Sequence, residues 1–294
     1  MNLTDPLREL LGFLGAYLSI GAVGLRYGVL APALGSKRAD AARSELLRSI
    51  GRRAAALGLV GVILAAALML AAVMRTMDER HLTLATILTA NRASSGLKLG
   101  LYILALFGFA FAVAGRARAW PLAAVGAVGA ELTNLVSLRW TGMVNPVHVL
   151  AGSLWIGTLF GLMAIALPTV LAGRQSGDDK ALTVADLVNA FSPLALVSGG
   201  VLVASGIVTA WRHLKFVAAI WTTSYGIALD VKLCVVAVVF ALGAWNWRRV
   251  RPKLGTPAAS EHLRRSARLE LAFAGLVLLV TSVLVSLPSP RLPK

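Results

Sequence analysis

Imidazole and thioether groups recur at the ends of long apolar runs in this chain. His81, His148 and His213 each fall where such a run begins or ends, and Met74, Met77 and Met143 fall beside them. Nitrogen and soft sulfur donors together suit copper in both of its oxidation states. In Met74-Arg-Thr-Met77-Asp-Glu-Arg-His81 the two sulfurs are three residues apart, so they adjoin if the helix continues that far. That stretch reads either as an entry site for copper or as methionine at a membrane end beside a solvated charge cluster.

His148 stands in Asn145-Pro-Val-His148-Val-Leu-Ala-Gly-Ser-Leu-Trp155-Ile-Gly157. Pro146 suits the first turn of a helix, where its missing N–H does no harm. His148 and Trp155 are seven residues apart, about two turns, and share a face with Gly152. Gly157 and Gly161 form a small-xxx-small pair that lets a neighbouring helix approach. A histidine on such a face is either a ligand or a group hydrogen-bonded to the next helix. His213, in Trp211-Arg-His213, reads as an interfacial anchor or as a further ligand. His262 reads as solvated.

Ionisable residues within the apolar runs fall at two levels. Arg26 and Glu270 lie near one end of the first and last runs, where they can form a structural ion pair. Glu131, Asp230 and Lys232 lie nearer the histidine end. Lys232 is expected to neutralise Glu131 or Asp230, leaving a carboxylate near His148 as an oxygen ligand or proton acceptor. The lone Cys234 excludes an intramolecular disulfide and a cysteine-based zinc or iron–sulfur site; it reads as a small packing residue.

The elements that must position these groups are membrane helices. The 294 residues are 57% hydrophobic and only 14% charged, against about 25% for a soluble domain. Eight spans are expected, at roughly 10–33, 53–74, 95–115, 119–138, 144–171, 190–212, 224–247 and 266–287. Each approaches the ~20 residues that cross a hydrocarbon core, and helices pair every backbone polar group internally. The fold expected is therefore all-α integral membrane, a bundle of about eight transmembrane helices. The fourth span is interrupted by Glu131, Thr133 and Asn134. Residues 38–52 read as a basic amphipathic helix on the membrane surface, and 178–190 as an amphipathic lead into the sixth span. The start, Met-Asn-Leu-Thr-Asp-Pro, lacks the basic region of a cleavable signal, so the first segment is expected to stay.

The net charge of +16 comes from basic clusters between spans, which argues for cytoplasmic loops and anionic-lipid contacts rather than nucleic acid. Lys37, Arg38, Arg43, Arg48, Arg52 and Arg53 crowd the first loop, and Arg248, Arg249, Arg251, Lys253, Arg264, Arg265 and Arg268 the seventh. By the positive-inside rule the odd loops are cytoplasmic and both termini face the outer, periplasmic side. His81, His148 and His213 then share the outer face.

In order and spacing, His148, Trp155 and Gly157 resemble the His–x6–Trp–x–Gly signature of the copper resistance D (CopD) family of bacterial inner-membrane proteins. Phe191-Ser192-Pro-Leu-Ala-Leu, Gly199-Gly200…Ser205-Gly206, Tyr225-Gly226…Lys232-Leu233, Asn246-Trp-Arg248-Arg249 with Pro252, and Arg265-Ser-Ala-Arg268-Leu-Glu270 followed by Pro288 and Pro290 continue the match over residues 143–290. The chain thus divides into an N-terminal four-span region, 1–142, and a CopD-like four-span domain, 143–294. Members often carry another histidine in the span before the signature; here Glu131-Leu-Thr-Asn-Leu-Val-Ser-Leu-Arg139 has none.

The resemblance implies copper uptake or homeostasis at the bacterial inner membrane. On that reading the chain is a copper permease. Copper enters near Met74, Met77 and His81 and passes to His148 and Met143, with Glu131 or Asp230 carrying any coupled proton. Met163 is the one candidate exit ligand in the fifth span. A periplasmic copper chaperone is the partner the resemblance suggests. The alternatives are a haem-binding redox subunit, which needs two facing histidines, and a scaffold that delivers metal without transporting it. No enzyme motif is evident: there is no serine–histidine–acid arrangement, no HExxH and no glycine-rich phosphate loop.

Overall fold

The computed structural model describes residues 4–35, 40–81, 83–90, 94–133, 140–173, 175–213, 218–250 and 257–287. Among them every regular element is helical. Seven helices are long and apolar enough to cross a bilayer: α1 (Thr4–Leu34), α2 (Ala41–Arg80), α4 (Ser95–Val113), α6 (Val144–Ala172), α7 (Gly177–Arg212), α9 (Ser224–Arg249) and α10 (Arg268–Ser286). Between them lie the short α3 (Leu84–Ala90), α5 (Trp120–Leu132) and α8 (Ala219–Thr222).

The expected fourth span is α5. Its 13 residues extend about 20 Å, short of the ~30 Å core. The rest of that expected span, 134–138, lies outside the described residues.

Two expected surface segments are instead continuous with their spans. Residue 41 begins a single 40-residue helix, about 60 Å long, that runs through the second span. Asp40 caps it by accepting from the Arg43 N–H at 2.6 Å. Likewise 178–190 is the first part of α7. The reason is visible in the packing. Arg43 is buried and its guanidinium donates to the Asp186 carboxylate at 2.7 Å, while Arg53 donates to Thr169 Oγ1 at 2.9 Å. The polar faces that suggested lipid headgroups bind one another.

Adjacent helices run antiparallel, and glycines set the close crossings. A Cβ at Gly61 would strike the backbone of Ser19 and Gly15, and one at Gly108 the backbone of Ala123. Parallel to α1, α6 packs with Gly21 against Gly157, Gly24 against Thr158 and Gly161 against Leu25. Helix α1 is thus held between α2 on one side and α6 on the other. One hydrophobic core runs through both halves of the chain, from Ile20, Leu30 and Ile50 to Leu162, Leu187 and Val277. This alternation puts the start of α1, the end of α2, the start of α6 and the end of α10 at one end of the bundle, the His148 end. The basic connections lie at the opposite end, beside Arg43, Asp186 and Arg53.

Four π-turns interrupt the helices: Leu25–Leu30, Ser153–Gly157, Leu162–Ala166 and Asn246–Val250. Each widened turn shifts the facing of the residues after it, and such turns recur at functional sites. Trp155 and Gly157 lie on the second, and Asn246 with Arg248 and Arg249 on the fourth.

Candidate functional site

His148 does not open its helix. The helix begins at Trp140, and Pro146 sits inside it, buried, two residues before the histidine. The ring is partly buried against α7, where Nδ1 lies 3.0 Å from Ser205 Oγ. Ser205 has one hydroxyl proton, and it donates that proton back to the Val201 carbonyl at 2.7 Å. With that proton so engaged, the Ser205 oxygen accepts from Nδ1–H, the tautomer in which Nε2 keeps its lone pair. Gly206 makes the approach possible, since a Cβ there would lie 3.2 Å from His148 Cε1. This is how metal-binding imidazoles are commonly held: one nitrogen anchored by a second group, the other free.

Two turns along α6, Trp155 is 6% exposed and its ring lies 4.7 Å from that of Phe240 on α9. Gly199 of α7 closes the third side, with Phe240 3.5 Å and Trp155 3.9 Å from where a Cβ would stand. Trp155 therefore shapes the floor beneath His148 and joins three helices. The Ser153 hydroxyl, fully buried in the π-turn, has no hydrogen-bond partner among the described residues.

Lys232 lies on α9, near enough for its ammonium to act on the His148 imidazole. It is not paired with Asp230 or Glu131 among the described residues. The charges therefore do not combine as expected: the Lys232 charge acts on His148, and Asp230 is half-buried on α9. Glu131 belongs to the other side of α1. It borders a cavity of about 30 Å³ with Gly12, Ala16, Ser19, Ile20, Ala65, Tyr102 and Ala127.

The remaining expected ligands do not converge on His148 among the described side chains. Met74 and Met77 do share the last turns of α2, because that helix continues to Arg80, but Met74 is 60% exposed on its surface. His81 is also exposed. It ends α2 in the left-handed conformation, φ 52°, with its N–H donating to the Met77 carbonyl. The backbones of Met143 and His213 are helical, but their side chains lie outside the described residues, as does His262. No group of three or more histidine, cysteine, aspartate or glutamate side chains is placed to hold a metal among the described residues. Met163 is partly buried against the hydrophobic core.

Two structural expectations are corrected. Glu270 is buried and accepts from Asn246 Nδ2 at 3.2 Å, not from Arg26. Arg26 lies in the π-turn of α1, its Nε buried without a hydrogen-bond partner. No ion pair joins them among the described residues; Asn246 takes the partner position at Glu270. Cys234 is exposed at the bundle surface, not packed inside.

The supporting residues that sequence reasoning missed are Phe240, against Trp155, and Tyr17, against Gly152. Ser205, Gly206 and Asn246 stood in quoted motifs, but nothing in spacing alone pairs them with His148 or Glu270.

Comparison with known proteins bears on α7–α10. Residues 185–284 match the family model described as Copper resistance protein D. Over 151 residues, 51% of this chain, the sequence is 31% identical to "Copper transport protein CutJ" of Bacillus subtilis (strain 168). That alignment covers 26% of the relative, so the chain spans about a quarter of the length of the curated protein it matches. No solved structure matches. The matched segment contains Ser205, Gly206, Lys232, Phe240, Asn246 and Glu270; His148 precedes it.

Proposed function

We propose, from the copper resistance D match over residues 185–284, that this multi-pass membrane protein handles copper through His148 and acts as a permease rather than an enzyme. The observation that carries the reading is the anchored imidazole. Ser205 suits the tautomer with its proton on Nδ1, in which Nε2 is presented as a neutral donor at one end of an otherwise apolar bundle. Neutral imidazole binds both Cu(I) and Cu(II).

The described donors do not complete a copper site by themselves. Met143 lies five residues before His148 on the same helix and is the nearest soft ligand in sequence. Met74, Met77 and His81 stand apart at the end of α2 and serve as a first contact for copper rather than as part of the same coordination sphere. The basic end, with Arg43, Arg53, Arg248 and Arg249, faces the cytoplasm on the positive-inside rule. The His148 end and both termini then face outward at the inner membrane, where a periplasmic copper chaperone can dock.

Copper here is cargo, and no nucleotide or phosphorylation chemistry is needed to move it down a gradient. The test is transport by purified protein in liposomes. Copper entry that depends on wild-type protein and fails with His148→Ala supports the permease. Copper binding without entry points instead to a metal-delivery scaffold.

A further inference from the structure

The two basic clusters fare differently in the fold. In the first, Arg43 is held by Asp186, Arg53 by Thr169, and Arg48 and Arg52 by Glu45. In the second, Arg248 and Arg249 end α9, Arg268 begins α10, and all three are exposed. None of these three forms an ion pair among the described residues. The first cluster is taken up by the protein itself, whereas these three cations face outward.

Glu270 lies two residues after Arg268 but is engaged elsewhere. It is 5% exposed and accepts from Asn246 Nδ2 at 3.2 Å. That bond also sets the register of the antiparallel pair. Two residues onward along α9 and two back along α10, Arg248 and Arg268 come level at the end of the bundle. The π-turn Asn246–Val250 draws Asn246 inward and leaves its neighbours facing out: Trp245 and Trp247 are 55% and 54% exposed.

The Arg249 guanidinium lies 5.5 Å from the centre of the Trp245 ring. A guanidinium held over an indole keeps the N–H groups of its edge free for an acceptor such as a phosphate. Toward the bundle interior, Ala241 and Val238 continue the Trp245 stripe at helical spacing, and both are exposed. Leu269, beside Arg268, is exposed as well. The surface thus runs from an apolar lane, through an indole of the kind that gathers at membrane interfaces, to a group of cations. A phospholipid has the same order: acyl chain, glycerol ester, phosphate.

We infer that this end of α9 and α10 is a binding site for one anionic glycerophospholipid. Its phosphate accepts from Arg249, Arg248 and Arg268 add charge at the same level, and an acyl chain lies along Val238, Ala241 and Trp245. A zwitterionic headgroup brings its own ammonium to three guanidiniums and is disfavoured, whereas a net-negative one is not. Each arginine near the headgroups adds to that preference. The bound lipid spans the last turn of α9 and the first of α10, where Asn246 and Glu270 already join them. The site depends neither on the copper reading nor on which side of the membrane this end faces.

Native mass spectrometry of the purified full chain in detergent tests it, with dioleoyl phosphatidylglycerol and dioleoyl phosphatidylcholine as the probes. Wild type should retain one phosphatidylglycerol about tenfold more tightly than phosphatidylcholine. Equal retention of the two lipids would overturn the proposal without any variant. Arg249→Gln with Arg268→Gln should lose most of the preference. Arg48→Gln with Arg52→Gln removes the same charge from the first cluster and should keep it. Loss in both double variants would assign the preference to general surface charge, and loss in neither would place the lipid elsewhere; either result overturns the site. Glycerol phosphate, which carries the charge without the chains, should not displace the bound lipid at equal concentration. Displacement would make this a site for a small anion and overturn the lipid.

Discussion

His148 Nδ1 lies 3.0 Å from Ser205 Oγ, and this one bond orients the embedded imidazole by tying α6 to α7. The Ser205 hydroxyl also lies 2.7 Å from the Val201 carbonyl, which suits the tautomer with its proton on Nδ1. Sequence placed His148 on an inward face but could not supply its partner, which is 57 residues away.

Ser205→Ala should therefore weaken copper binding while leaving the histidine in place. Loss of an outer-sphere partner typically costs 10–100-fold in metal affinity, and about tenfold is expected here. Metal titration in detergent measures it. An unchanged affinity would mean that the ring is held by packing alone.

Lys232→Met should strengthen copper binding. The ammonium near His148 opposes any cation at Nε2, and removing it lifts that repulsion. A gain of roughly tenfold is expected, and it should be larger for Cu(II) than for Cu(I) because the repulsion grows with the ion's charge. Weaker binding in this variant would instead make Lys232 a support of the site.

The extent to which the sequence specified this arrangement differs by feature. Apolar runs and helical spacing sufficed for α1, α2, α4, α6, α7, α9 and α10, because crossing a bilayer imposes length and composition locally. The small-xxx-small reading of Gly157 and Gly161 also corresponds to real close contacts, with Tyr17, Gly21 and Leu25. Pairings between distant segments were not legible. Arg26 and Glu270 form no pair among the described residues, and Asn246 takes the place expected of Arg26. Residues 38–52 looked like a membrane-surface helix because Asp186, the partner of Arg43, is remote in sequence. The π-turns at Ser153–Gly157 and Asn246–Val250 carry no periodicity signal, yet they set which way Trp155 and Asn246 face.

The glycine seam between α1 and α6 should be intolerant of bulk. In Gly21→Ala the new Cβ would fall on the backbone of Gly157, so the helices must part. A loss of about 1–3 kcal/mol is expected, read as a lower unfolding midpoint in detergent. Gly200→Ala is the control: no atom lies within 4 Å of its Cβ position, and stability should hold. Equal behaviour of the two variants would contradict the packing described.

Arg43→Ala should destabilise the basic end. It takes the guanidinium from Asp186, whose side chain is 24% exposed, and breaking a partly buried pair costs on the order of 1–3 kcal/mol. Replacing both residues, Arg43→Met with Asp186→Leu, should cost less than Arg43→Ala alone, because no uncompensated charge remains. Thermal unfolding of the two variants measures the difference, and a double variant that is the less stable would show that the charges do more than neutralise each other.

The central claim is that His148 Nε2 is the copper ligand. The direct measurement is titration of Cu(I) and Cu(II) into purified wild type and His148→Ala, with the visible spectrum recorded at each addition. Copper should bind wild type and be lost in a variant that remains folded. Unchanged stoichiometry and affinity in His148→Ala would contradict it.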